Sequence, residues 1–272
     1  VSFSGMGLHT GHEVKMVLCP AKEGTGVIFE RTDLASNPII PATIEYVQDT
    51  SRSTTIGIGN VRVHTVEHVL AALYAYGIDN VKVQVSSAEP PVGDGSSLPF
   101  VDMIENAGVV ELEASLPFLR INKPLYWSKG EIHMVAIPAD EYRVSYTLHY
   151  PQSKAIRCQY QSIVINQDTF KTQIAPCRTF ALYDEVSQLM DRGLIKGGSL
   201  ENAVVIKDDV IFSKEGLRFE DEMARHKILD LVGDLSLVGF PFMAHVIAIR
   251  SGHTANTAFA KELFNFITAE NR

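Results

Sequence analysis

Arg225-His226-Lys227-Ile228-Leu229-Asp230-Leu231-Val232-Gly233-Asp234 is the stretch on which the reading of this chain turns. Its periodicity predicts the middle of one long amphipathic helix over residues 219–238. At about 100° per residue, His226, Asp230 and Asp234 follow a narrow stripe, each about 40° round from the last. Ile228, Leu229, Leu231, Val232 and Leu235 take the opposite arc and must face a core. An imidazole and a carboxylate one turn apart can offer two ligands to one metal ion. The same stripe also describes the wet face of a half-buried helix, and an isolated His-x-x-x-Asp is more often that. The decision therefore lies in the rest of the chain.

Working outward, the 272 residues suffice for one large domain or two ordinary ones. A hydrophobic content of 46% with 21% charged residues is that of a globular protein. The longest apolar tract, residues 235–249, is broken by Gly239, Pro241 and His245 and is too short to span a bilayer. No basic segment followed by an apolar one opens the sequence, so no secretory signal is expected; Val1 stands first and upstream residues are expected. Cys19, Cys158 and Cys177 are scattered without Cys-x-x-Cys spacing. That argues against a disulfide framework or a cysteine zinc site and for a reducing, cytoplasmic setting. A formal net charge of −8 disfavours nucleic-acid binding, so an anionic ligand must meet a local cluster of cations.

The first third is β-rich, with strands expected at 14–18, 25–31 and 39–47 and a small hairpin over 53–63. Thr65 is a candidate N-cap for a helix over 66–76 that stops at Gly77. Val81, Val83 and Val85 alternate with Lys82 and Gln84, the period of a half-buried strand. A turn-rich loop at 90–95 leads to a helix over 98–106, and the acidic stretch 111–117 reads as a linker. The order then repeats in outline. Strands are expected at 118–126, 131–138, 143–150 and 157–165, a helix at 184–192, and a β-prone run through Phe212. The long helix follows, then a strand at 244–250 and a last helix from Thr254. An α+β fold of two similar domains, 1–115 and 116–272, meeting across a cleft is the resulting expectation.

Several residues could carry chemistry. In Thr65-Val66-Glu67-His68, adjacent helical positions diverge by about 100°, so His68 and Glu67 cannot share one ion. His68 suits a ligand and Glu67 a base for water, or the pair is a structural histidine with a solvated neighbour. His253, in Ser251-Gly252-His253-Thr254, sits where a strand turns into a helix, with Asp234 as candidate partner, or it merely caps that turn. Thr179, after Pro176 and Cys177, could donate to an oxyanion or cap a loop. Lys227 and Arg250 flank the candidate ligand and acid and could meet a phosphate, although solvated surface cations are commoner. His9, among the turn residues of Gly7-Leu8-His9-Thr10-Gly11, could reach a cleft.

These stretches, together with Asp94-Gly95-Ser96, Arg178-Thr179-Phe180, Gly197-Gly198-Ser199 and Glu220-Asp221-Glu222, occur in one order over essentially the whole chain. That order resembles the UDP-(3-O-acyl)-N-acetylglucosamine deacetylases, zinc amidases of lipid A biosynthesis. The resemblance implies zinc ligands at His68, His226 and Asp230, a general base at Glu67 and an acid at His253 supported by Asp234. It further implies an oxyanion donor at Thr179 and substrate contacts at Lys227 and Phe180. Arg250 stands where the family often has Lys, and Glu185 where an aspartate is common. The implied architecture is a sandwich with helices between two sheets and the active site at the domain interface. A small β insert is expected at about 48–63 and a β-α-β insert forming an acyl-chain passage at about 182–212. Leu194, Ile195, Leu200 and Val204 could line that passage or be ordinary core. The implied substrate is an acylated UDP-sugar, whose chain would bring the protein transiently near a membrane. Two imidazoles and one carboxylate suit ferrous iron as well as zinc. Another metal-dependent amidase or peptidase could use the same ligands. A non-catalytic binding protein ranks lowest, because base, ligands and acid are all present.

Overall fold

The computed structural model describes residues 1–116, 118–191 and 193–270. Pro117 and Arg192, where the expected linker and one expected helix end, lie outside them. In chain order the first elements are β1 (Ser2–Met6), β2 (Glu13–Pro20), β3 (Val27–Arg31) and β4 (Ile39–Pro41). A 3-10 turn (Ile44–Tyr46) leads to β5 (Val47–Asp49), β6 (Thr55–Ile58) and β7 (Val61–Val63). Then come α1 (Glu67–Ala75), β8 (Val81–Val85) and α2 (Leu98–Ala107). The remainder is β9 (Leu119–Arg120), β10 (Leu125–Lys129), β11 (Ile132–Ile137), β12 (Tyr142–Tyr150), β13 (Arg157–Val164), α3 (Gln167–Thr169) running into a π-turn (Phe170–Ile174), β14 (Phe180–Leu182), α4 (Tyr183–Asp191), β15 (Val204–Lys207), β16 (Val210–Phe212), α5 (Glu222–Ser236), β17 (Phe242–Ile249) and α6 (His253–Glu270). This is a mixed α+β fold. Among the described residues no helix is long and apolar enough to cross a membrane.

Two larger sheets carry the core, ordered β1-β2-β8-β3-β4 and β10-β11-β17-β12-β13, with β9 added beside β17. Numbered within its own half, each runs 1-2-5-3-4, and the pairings agree in sense. All are antiparallel except β3 with β8 and β12 with β17, and the added β9 is also parallel to β17. In each half a helix (α1 or α5) precedes the fifth strand and another (α2 or α6) follows it. Burial alternates along β8 and along β17, so each sheet turns one face inward. Smaller sheets, β5-β6-β7 and β14-β15-β16, stand apart from these two. In the second, β14 and β15 are parallel and joined through α4.

Three local expectations give way. The run 39–47 is not one strand, because the Ile44 N–H leaves the sheet to bond the carbonyl of Leu237 at the end of α5. The run 118–126 divides into β9 and β10, with Pro124 between them unable to donate to a ladder. Thr65 is not an N-cap. Val66 holds that position without a side-chain bond, and Thr65 has φ +55° with its hydroxyl donating to Glu89. The turns at 167–174 were not anticipated; Asn166 starts them with a reciprocal capping box with Thr169.

Helix α5 is also not half-buried. Of the residues Glu222 to Leu235, only Arg225 and Lys227 are not fully buried. His226 and Asp230 are 2% exposed and Asp234 0%. The polar stripe therefore points into protein, which removes the wet-face reading. Buried polar groups of this kind need partners or a ligand.

Candidate metal centre and acid–base cluster

Helices α1 and α5 pack closely enough that a Cβ added at Gly233 would lie 2.1 Å from the Glu67 carbonyl oxygen. Glycine is what permits this crossing, and the crossing sets the first turn of α1 against the middle of α5. His68 and His226 meet edge to face, with ring centroids 5.0 Å apart. Their Nε2 atoms stand 3.6 and 3.4 Å from Asp230 Oδ1. One ligand atom from each of the three residues lies within 4.8 Å of the others, a group that could hold a metal ion.

Local chemistry fits that reading. Asp230 Oδ1 is buried without a hydrogen-bond partner, while Oδ2 accepts from Lys227 Nζ at 2.8 Å. Burial alone would raise the Asp230 pKa. The charge of Lys227, foremost, outweighs it and holds the carboxyl well below its usual range. Burial lowers His226 to about 4, so its imidazole is neutral. Its Nδ1 lies 3.0 Å from the Cys177 carbonyl oxygen. Donation there leaves the Nε2 lone pair facing His68 and Asp230, the tautomer a ligand requires.

The same helix grips the other end of that peptide unit. Glu222, one turn before His226 and fully buried, accepts the Arg178 backbone N–H at 3.0 Å. It also accepts Arg178 Nε at 2.8 Å and the Arg218 backbone N–H at 2.7 Å. The peptide joining Cys177 to Arg178 is thus held at its carbonyl by His226 and at its N–H by Glu222. Thr179 follows directly, its own N–H bonded to the Gly95 carbonyl at 2.8 Å.

A second polar cluster adjoins the first. Glu67 is 2% exposed; burial raises its carboxyl to about 6, against the pull of His253 and His68. Its Oε2 accepts the Thr54 N–H at 3.0 Å, and its Oε1 lies 3.9 Å from His253 Nε2. His253 Nδ1 is 2.9 Å from Asp234 Oδ2. Burial would lower His253, but the carboxylates of Asp234, Glu67 and Asp230 prevail and raise it to about 9. The turn that carries it is pinned by the Tyr146 hydroxyl, which donates to the Ser251 carbonyl.

Both clusters open into one cavity of about 890 Å³. Glu67, His68, Thr179, Phe180, His226, Lys227, Asp230, Arg250, His253 and His9 all line it, whereas Asp234 stands behind His253. Phe180 packs edge-on to His226 with centroids 6.3 Å apart, and Lys227 Nζ lies 5.6 Å from the Phe180 ring centroid. Arg250 pairs with Glu131 at 2.8 Å, so its guanidinium is already engaged at the rim. His9 is held by its backbone N–H on Glu89, and its buried Nδ1 has no partner. The far wall comes from the β14-α4-β15-β16 segment, where Val186, Ile195, Leu200, Val205 and Phe212 face the cavity. Of the four residues named for a passage, Ile195 and Leu200 border this cavity, Val204 is core, and Leu194 is half-buried away from it. Arg52 and Glu185, one on each side, form an ion pair of 2.8 Å.

Three residues of these networks have no counterpart in the sequence reading, Thr54, Glu89 and Asn256, and Glu222 stands there only within a quoted motif, with no role. Glu89 is fully buried and accepts from the backbone of His9 and Thr10 and the hydroxyls of Thr10 and Thr65. Thr54 bonds Asp234 across 180 residues, Glu89 bonds Thr65 across 24 and Asn256 bonds Asp234 across 22, and no spacing announces them.

The chain matches a family model described as "LpxC: UDP-3-O-acyl N-acetylglycosamine deacetylase" over residues 1–265. It is 51% identical over 264 residues to the UDP-3-O-acyl-N-acetylglucosamine deacetylase of Chlamydia pneumoniae, covering 97% of this chain and 94% of that protein. The protein of the same name from Chlamydia caviae is 50% identical over 267 residues, covering 98% and 95%. That from Chlamydia trachomatis serovar D is 47% identical over 270 residues, covering 99% and 94%.

Proposed function

Given that the chain belongs to the UDP-3-O-acyl-N-acetylglucosamine deacetylase family, we propose that it hydrolyses the acetamide of a UDP-3-O-acyl-N-acetylglucosamine to the free amine and acetate. It is an amide hydrolase with a metal-binding site, and its place is in lipid A biosynthesis. The observation that carries the chemistry is the partnerless, buried Oδ1 of Asp230 facing two imidazoles, with Glu67 and His253 on the same cavity. Zinc is the cation we assign to His68, His226 and Asp230. When bound it supplies Lewis acidity toward water and the amide oxygen.

The chain's own groups then divide the proton work. Glu67, its carboxyl raised to about 6 by burial, takes the proton of the attacking water. The Thr179 hydroxyl donates to the amide oxygen as charge develops there. His253, protonated through its carboxylate neighbours, gives its Nε2 proton to the departing amine, while Asp234 holds Nδ1. Lys227 neutralises Asp230 and, with Arg250, marks the side on which the diphosphate enters. Phe180 and His9 flank the sugar, and the apolar wall takes the acyl chain. The twofold recurrence of the 1-2-5-3-4 order supports domains at 1–115 and 116–272, stacked with helices between their sheets. The three free thiols fit a reducing, cytoplasmic setting. Acetate release from the acylated UDP-sugar, measured beside metal content and against amine release from peptides, tests this reading. Turnover of peptides but not of the sugar would overturn it.

A further inference from the structure

Thr54 is the point at which both proton-handling groups meet, and the chemistry above makes no use of it. It directly precedes β6 and is completely buried. Its carbonyl accepts the Val66 N–H at 3.2 Å and its own N–H donates to Glu67 Oε2 at 3.0 Å, so its backbone is tied to the start of α1. From that anchored position its hydroxyl donates to Asp234 Oδ1 at 2.5 Å and lies 3.3 Å from His253 Nδ1. The other Asp234 oxygen accepts from Asn256 Nδ2 and meets His253 Nδ1, each at 2.9 Å.

We infer that Thr54 is a positioning residue. Its hydroxyl fixes the plane of the Asp234 carboxylate, and so holds the His253 ring in register with Glu67, to which Thr54 is bonded through its backbone. A carboxylate that orients an imidazole through one oxygen can still turn about its Cβ–Cγ bond unless the other oxygen is tied. Here the tie comes from the opposite wall of the cluster, 180 residues away in sequence. This inference rests on the reading of Glu67 as base and His253 as acid.

The test separates hydroxyl from backbone, because Thr54→Val removes only the side-chain donor and keeps volume and N–H. In Thr54→Val, kcat on the acylated UDP-sugar should fall about 30-fold, the scale of a small misplacement of a reacting group. KM should stay within about twofold and metal per chain should not change. Thr54→Ser should restore kcat to within about threefold. In the metal-free protein, the His253 Nδ1 proton resonance should move upfield or broaden in Thr54→Val and return in Thr54→Ser. Wild-type kcat with an unmoved resonance in Thr54→Val would overturn the inference. So would loss of metal from that variant, or a Thr54→Ser as impaired as Thr54→Val, which would assign the effect to the lost methyl. If Thr54→Val does not fold by circular dichroism, Thr54→Ala against Thr54→Ser carries the same comparison. A wild-type protein that releases no acetate defeats the deacetylase reading, while the resonance comparison still decides the role of Thr54.

Discussion

The two ends of the cavity are built on opposite terms. At the α1–α5 crossing, Glu67, His68, His226, Asp230 and Asp234 are at most 6% exposed, and the Asp230 oxygen aimed at the imidazoles is without a hydrogen-bond partner. At the β14-α4-β15-β16 wall, apolar side chains such as Leu200 and Phe212 are 45% and 43% exposed, and the bridge across the opening is the solvent-facing Arg52–Glu185 pair. Rigidity belongs where atoms must meet to within fractions of an ångström; a chain of methylenes needs only apolar surface. Changes at the first end should therefore act on metal and kcat, and changes at the second on KM.

Deleting a ligand gives the largest expected effect. His226→Ala should lose the bound metal and at least about 10³-fold in kcat, and unchanged metal by elemental analysis would refute the ligand set. Glu67→Gln should keep the metal while kcat falls about 10²–10⁴-fold, measured as acetate release. The same end sets the pH profile. On the proposed roles, turnover requires Glu67 deprotonated and His253 protonated, so kcat/KM should rise through about 6 and fall through about 9. A bound dication favours the deprotonated form of each and moves both limbs down. A profile flat from pH 5 to 10 would disconnect these groups from the reaction.

At the other end, Leu200→Ser should raise KM for the acylated substrate about three- to tenfold and leave kcat and metal content alone. An equal loss in kcat would erase the contrast between the two ends. The smallest effect is expected at Arg52 and Glu185. A double-mutant cycle should give a coupling below about 1 kcal/mol that fades with added salt. A larger, salt-insensitive coupling would mean that the opening is fixed as firmly as the metal centre.

Much of the reacting end is local and therefore legible. His226 and Asp230 are one turn apart, and Glu67 and His68 are neighbours on diverging faces. Lys227 shows the limit of such reading. Its place beside His226 suggests a cation that could meet a phosphate; it lines the cavity, and its Nζ also bonds Asp230 Oδ2, three residues on in α5, a second contact that the reading does not name. Thr65 shows another. Its residue type suits a cap, but a buried carboxylate from Glu89 competes for its hydroxyl and wins. Thr54 carried no mark at all, since a threonine ahead of a short strand is unremarkable until Asp234 is beside it.

By itself the sequence determined the periodicity of the helices and strands, the absence of paired cysteine spacing and the identity of the groups able to do acid, base and ligand chemistry, because these are properties of residue type and of neighbours within a turn. The tertiary structure alone decided that α5 is buried nearly all round, that Gly233 lets α1 approach it, and which hydroxyl or amide completes each carboxylate. Those outcomes depend on which distant segments pack together, and burial then makes every unpaired polar atom costly enough to select its partner.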